Sequence, residues 1–124
     1  MVSDLIATFG SLRRLIGKYE GPLTAKMDIQ GRYDLWSIKE IVIDGRKRKE
    51  VAFASAIIQS SYVGFYFMPV YVEEQMKQIF APELLKLLKG KSCFHIKKID
   101  GKLEEMIAKA LEDGFRLYVE RGWV

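Results

Sequence analysis

The chain has 124 residues, enough for one domain with a core of useful size and no need of disulfides or metal. Its hydrophobic fraction of 49% and aromatic fraction of 12% are those of a packed globular protein, which excludes a disordered or fibrous chain. The net charge of +4 is modest, and no apolar run approaches the length of a membrane span. Met1-Val2-Ser3-Asp4 lacks the basic start and apolar core of a secretory signal, and one cysteine cannot form an internal disulfide. A cytoplasmic location is therefore expected, with one domain over residues 1–124.

The first expected element is a helix over residues 4–19. Leu5, Phe9, Leu12, Ile16 and Tyr19 recur at three- and four-residue steps and share one face. Ser3 is a candidate N-cap, and Gly21-Pro22 stops the helix. Short strands follow over 23–30, 33–37 with 38–43 (one strand or two), 50–59 and 62–68. Asp44-Gly45 reads as a turn, because both residues tolerate positive φ. In Tyr62-Val63-Gly64-Phe65-Tyr66-Phe67-Met68 both faces are apolar or aromatic, as in a central strand. Pro69 ends it.

A short helix is expected over 72–80. A second opens at Ala81-Pro82-Glu83, runs through Leu88 and stops at Gly90, since Pro is tolerated at the first helical position. Residues 92–98 read as a strand. Asp100 caps a final helix over 101–121, where Leu103, Met106, Ile107, Ala110, Leu111, Gly114, Leu117 and Tyr118 keep helical spacing, and Gly122 ends it. The order predicts an α+β domain: an antiparallel sheet with the N- and C-terminal helices on one face and two short extra helices before the last strand.

The stretches Phe65-Tyr66-Phe67-Met68-Pro69-Val70-Tyr71 and Leu87-Leu88-Lys89-Gly90-Lys91-Ser92-Cys93-Phe94-His95-Ile96-Lys97-Lys98 resemble the bacterial YdhG-like family of domains of unknown function. The closing Tyr118-Val119-Glu120-Arg121-Gly122-Trp123 is similar too, so the resemblance runs from about residue 18 to the end. It implies a frataxin-like fold and, for some members, an iron-chaperone role. Iron carriage by resemblance would use an acidic ridge of Asp4, Glu20, Asp28 and Asp34. That ridge is sparse, and Arg13, Arg14 and Lys18 interrupt it. Iron is the only cofactor implied.

The only cysteine and the only histidine, Cys93 and His95, sit two residues apart and so point to the same side of a strand. A zinc site needs three or four ligands, and no other Cys or His exists to complete one. Covalent catalysis would need the thiol and imidazole in contact with an orienting third group. Lys91 and Lys97 could lower the thiol pKa and make Cys93 reactive. A structural or surface role is the default. No phosphate loop, nucleophile elbow or His-Glu-x-x-His motif occurs, and Glu73-Glu74 and Glu104-Glu105 read as solvated helix faces. A non-enzymatic binding domain is the expectation.

Tyr33, Trp36, Tyr62, Tyr66 and Tyr71 cannot all pack beneath two helices. If the helices cover Val63, Phe65 and Phe67, then Tyr62, Tyr66 and Met68 emerge on the far face, with Trp36, Cys93 and His95 near them. That face would be covered by the short helices of 72–88, buried in a homodimer, or open as a small-ligand pocket. Two basic clusters complete the candidates. One is Arg46, Lys47, Arg48 and Lys49. The other is Lys86, Lys89, Lys91, Lys97 and Lys98, with no Asp or Glu between residues 84 and 99. They fit an anion, but neither carries the interleaved aromatics of a nucleic-acid binder, so a nucleic-acid partner is not expected.

Overall fold

The computed structural model describes residues 2–124. Helix α1 (Val2–Gly17) leads into strands β1 (Thr24–Ile29) and β2 (Arg32–Ser37). A detached hairpin, β3 (Ile41–Ile43) and β4 (Arg46–Arg48), interrupts the sheet before β5 (Val51–Ile58) and β6 (Val63–Phe67). Helix α2 (Met68–Val72), a 3-10 helix (Glu74–Ile79) and α3 (Pro82–Leu85) follow, then β7 (Leu88–Lys89), β8 (Cys93–Ile96) and α4 (Gly101–Glu120). The main sheet has six strands in the order β1-β2-β5-β6-β8-β7, all antiparallel. The chain is an α+β domain with its terminal helices on one face of that sheet. Among the described residues no helix is long and apolar enough to cross a membrane.

The layering follows from side-chain alternation. Val63, Phe65 and Phe67 of β6 lie opposite Ile58, Ala56 and Ala54 of β5, and Phe65 and Val63 lie opposite Phe94 and Ile96 of β8. All of these except Ile58 are buried, under Leu5, Phe9, Leu12 and Ile16 of α1 and Ile107, Leu111 and Tyr118 of α4. Each fully buried aromatic here contributes roughly 1.5–3 kcal/mol of transfer free energy. A Cβ on Gly114 would stand 2.5 Å from Phe67 Cζ and 2.8 Å from Pro69, so α4 reaches β6 only because that residue is glycine.

The long helix is fixed at both ends. The Asp100 carboxylate accepts a hydrogen bond from Leu103 N–H at 2.8 Å, as its N-cap position predicts. Gly122 takes a φ of +75°, and Trp123 N–H bonds back to Tyr118 C=O. Trp123 is thereby buried, and its own carbonyl accepts from the Ser37 hydroxyl. The Tyr118 hydroxyl donates to Ala52 C=O at 2.6 Å, tying α4 to β5.

Four sequence expectations change. The first helix starts at Val2, so Ser3 falls inside it, and the Ser3 side chain lies outside the described residues. The strand expected through residue 43 breaks after Ser37. Ile41–Ile43 leaves the sheet and pairs with Arg46–Arg48 across Asp44 (φ +52°) and Gly45 (φ +78°), the two positive φ angles of a tight hairpin turn. The helix expected over 72–80 divides into α2 and the 3-10 helix, because Pro69 starts a helix where the strand ends and Glu73 then turns extended. Leu88 and Lys89 leave the second short helix and pair with Phe94 and Cys93 as an edge strand.

The short helices also take the opposite side from the one that would cover Tyr62 and Tyr66. Phe80 packs on Phe67 and Phe94, Pro69 reaches Gly114, and Leu84 and Val70 are buried in the same core. They extend the helical layer and leave the other face of the sheet bare.

Candidate functional site

The bare face is built by the residues that alternate with the core. On β2 these are Arg32, Asp34 and Trp36; on β5, Ala52, Ser55 and Ile57; on β6, Gly64 and Tyr66; on β8, Cys93 and His95. Met27 and Ile29 of β1 continue it to the sheet edge, 37% and 58% exposed. All five residues expected on an open face, Trp36, Tyr62, Tyr66, Cys93 and His95, are here and half-buried. Of the other sequence-selected aromatics, Tyr71 lies exposed on α2, and Tyr33 leaves this face altogether. It points to the helical side and is fully buried, with its hydroxyl held by Glu20.

The aromatic side chains are ordered by contacts with one another. Tyr62 stacks on His95, with ring centroids 3.8 Å apart and planes 13° from parallel. The Tyr66 ring folds back over Gly64, where an added Cβ would meet it at 2.8 Å. Its hydroxyl receives a 3.4 Å hydrogen bond from Gln59 Nε2. Two strands away, the Lys26 ammonium sits 4.4 Å above the Trp36 ring and pairs with Glu50. Between these groups β5 presents Ala52 and Ser55, with the larger Ile57 farther along the strand.

Cys93 pairs across the sheet with Tyr66. Burial pushes the Cys93 thiol up, and contact with the Tyr66 hydroxyl offsets that only in part. Burial raises Tyr66 as well, with the Cys93 charge as the second cause. The expectation that Lys91 and Lys97 make the thiol reactive is therefore overturned: desolvation keeps it protonated. His95 is stacked on Tyr62 rather than aimed at the sulfur.

At the centre of β2 the Asp34 carboxylate is nine-tenths buried. Arg32 Nε and Nη2 donate to Asp34 Oδ2 at 3.1 and 3.0 Å, while Oδ1 has no donor, alone among buried side-chain atoms of the described residues. The other acidic candidates lie elsewhere. Asp28 receives two bonds from Arg13, at 3.3 and 2.8 Å, on the helical side of β1. The Arg13 guanidinium is raised by that hydrogen bond and also lies 4.3 Å from the Tyr33 ring centroid. Glu20 accepts from the Tyr33 hydroxyl, and Asp4 sits exposed in the first turn of α1. Asp4, Glu20, Asp28 and Asp34 thus occupy separate places on both faces of the sheet. No group of three or more His, Cys, Asp or Glu among the described residues could hold a metal ion.

Arg46, Lys47, Arg48 and Lys49 all project from the detached hairpin and are exposed. In the two adjacent-glutamate pairs, Glu104 pairs with Arg14, and Glu73 pairs with Arg121 and caps the 3-10 helix through Gln75 N–H.

Sequence reasoning did not find a cavity of about 440 Å³ on the helical side, between Phe80-Ala81 and α4. Met106 and Ala110 floor it, and Lys102, Glu105, Lys109 and Asp113 rim it. The available signal was the width of the apolar stripe on α4: Leu103, Met106 and Leu117 lie beyond the residues the core can bury. The cavity holds no group with chemistry beyond the Lys109–Asp113 ion pair. No protein-family model matches this chain, and no curated protein or solved structure does either.

Proposed function

We propose that this chain is a non-enzymatic binding domain that uses the bare face of its sheet as a contact surface, and that the partner on that face is a second copy of the chain. The observation that carries this reading is an aromatic and apolar surface, from Ile29 and Met27 through Trp36 to Tyr66 and the Tyr62–His95 stack, with no element of the described chain over it. An uncovered sheet face that carries this many aromatic and apolar side chains marks an interaction surface.

Shape favours a protein over a small molecule. Small ligands take concave pockets, and the most prominent cavities among the described residues are lined by other residues than Trp36, Tyr62, Tyr66, Cys93 and His95. Charge favours a second copy. The face carries both signs, in Lys26 with Glu50 and Arg32 with Asp34, so a two-fold axis can set positive on negative in both directions.

The order of helix, antiparallel sheet and helix supports the frataxin-like fold that the resemblance implies. The iron role implied with it has weaker support, because Glu20, Asp28 and Asp34 are already engaged by Tyr33, Arg13 and Arg32.

Sedimentation velocity over a rising concentration series tests the reading. The wild-type chain should form a dimer, and Tyr62→Glu and Met27→Glu should each return it to monomer while thermal unfolding stays cooperative. A wild-type chain that stays monomeric, or a dimer that survives both substitutions, overturns it.

A further inference from the structure

The chain's cations are of two kinds. Arg13, Arg14, Lys26, Arg32, Lys102, Lys109, Arg116 and Arg121 are all in ion pairs. The other twelve cations are in no ion pair among the described residues; of these, Arg46, Lys47, Arg48, Lys49, Lys77, Lys89 and Lys91 come from three separate stretches of sequence.

The topology brings those stretches to one end of the sheet. Ser37 pairs with Val51, Ala54 with Phe67, Tyr66 with Cys93, and Cys93 with Lys89. The end of β2, the start of β5, the end of β6, the start of β8 and the end of β7 therefore lie side by side. The basic hairpin leaves the sheet at the first two of these positions. The turn carrying Lys91 lies at the last two. Lys91 and Lys77 line a cavity of about 320 Å³ with Tyr71, and the Lys91 ammonium is 5.6 Å from the Tyr71 ring. Tyr71 is 52% exposed, an aromatic face beside Lys77 and Lys91.

We propose that this end of the sheet binds single-stranded nucleic acid, with the hairpin cations and Lys89 on successive phosphates and Tyr71 stacking on a base between Lys77 and Lys91. The distance argues for a chain of phosphates. From β5 to β7 is three strand spacings, about 14 Å, more than one phosphate can bridge. The hairpin's own acids, Glu40 and Asp44, leave the sign of the surface positive. The exposed aromatic argues for nucleic acid over other polyanions, since every base offers a face to stack on and a lipid headgroup or sulfated sugar does not. Each sequence cluster lacks interleaved aromatics by itself, and the fold supplies one.

The test is fluorescence anisotropy of a labelled oligo-dT, repeated at rising salt, with heparin and anionic phosphatidylglycerol vesicles as alternative probes. Binding should weaken linearly in log–log form with salt, and Lys47→Ala and Lys89→Ala should each reduce the slope by about 0.7. Tyr71→Ala should weaken oligo-dT binding roughly tenfold and leave the slope unchanged. All three positions are exposed, so unchanged thermal midpoints are expected and separate lost binding from lost fold. No binding at low salt overturns the proposal. So does equal binding to heparin or vesicles with no effect of Tyr71→Ala, which would describe a surface selective only for charge.

Discussion

The two faces of the central sheet are made by the same strands and differ in what they ask of their side chains. The covered face is Val63, Phe65, Phe67, Phe94 and Ile96, all fully buried against α1 and α4. The bare face, one residue out of step, is Gly64, Tyr66, Cys93 and His95, with Tyr62 stacked at its end. Phenylalanine fills a dry interior, whereas tyrosine and histidine give the same apolar area with a polar tip that tolerates water. The difference teaches that the first face secures the fold and the second is available for a partner.

The largest way to sharpen that contrast is to truncate the covered face. Phe65→Ala should lower stability by about 3–5 kcal/mol, measured by urea unfolding, because it removes a fully buried ring under two helices. On the bare face the largest effect should come from Arg32→Ala. It strands the buried Asp34 charge and should cost about 1–3 kcal/mol, and Arg32→Ala with Asp34→Ala together should restore part of the loss. If Tyr62→Ala proved as costly as Phe65→Ala, the division between the faces would collapse.

A smaller effect is expected from Gly64→Ala. The new Cβ would press on the Tyr66 ring at 2.8 Å, and the ring can swing outward, so the cost should stay near 1 kcal/mol. Self-association should nonetheless fall, because the displaced ring spoils the flat surface. Sedimentation and unfolding on one sample separate the two consequences.

The faces also answer alkaline pH alike, through burial. Tyr33 and Tyr118 are raised above the ordinary tyrosine value mainly by desolvation, as are Tyr19 and Tyr66. Below about pH 10 these hydroxyls are protonated folded or unfolded, and their contribution is fully present. Above it the unfolded chain loses protons first, so stability should fall as pH rises toward the folded values. Thermal midpoints measured from neutral pH upward should drop once pH passes 10, and a flat profile there would contradict the buried hydroxyls.

Much of this was legible in the sequence because period-two alternation is local. From Val63 to Phe67 the pattern alone assigns each side chain to a face, and the Cys93–His95 spacing assigns both to the same one. Helix α4 and its Asp100 cap were legible for the same reason. The side taken by the short helices was not, since Phe80 and Leu84 suit either face until their contacts with Phe67, Phe94 and α4 are known. Tyr33 could not be placed either: its burial depends on Glu20 arriving from the far side of a turn to hold the hydroxyl. The gathering of Lys47, Lys91 and Tyr71 at one sheet end depends on strand order, which no local pattern encodes.

The central claim is that the bare face is where this chain meets a copy of itself. Amide NMR spectra of the uniformly labelled protein, recorded from dilute to concentrated solution, test it most directly. The account predicts concentration-dependent shifts at Met27, Trp36, Ile57, Tyr62, Tyr66 and His95, with the α1 and α4 amides still. Shifts confined to α4 or to the basic hairpin, or spectra that do not change with concentration, would contradict it.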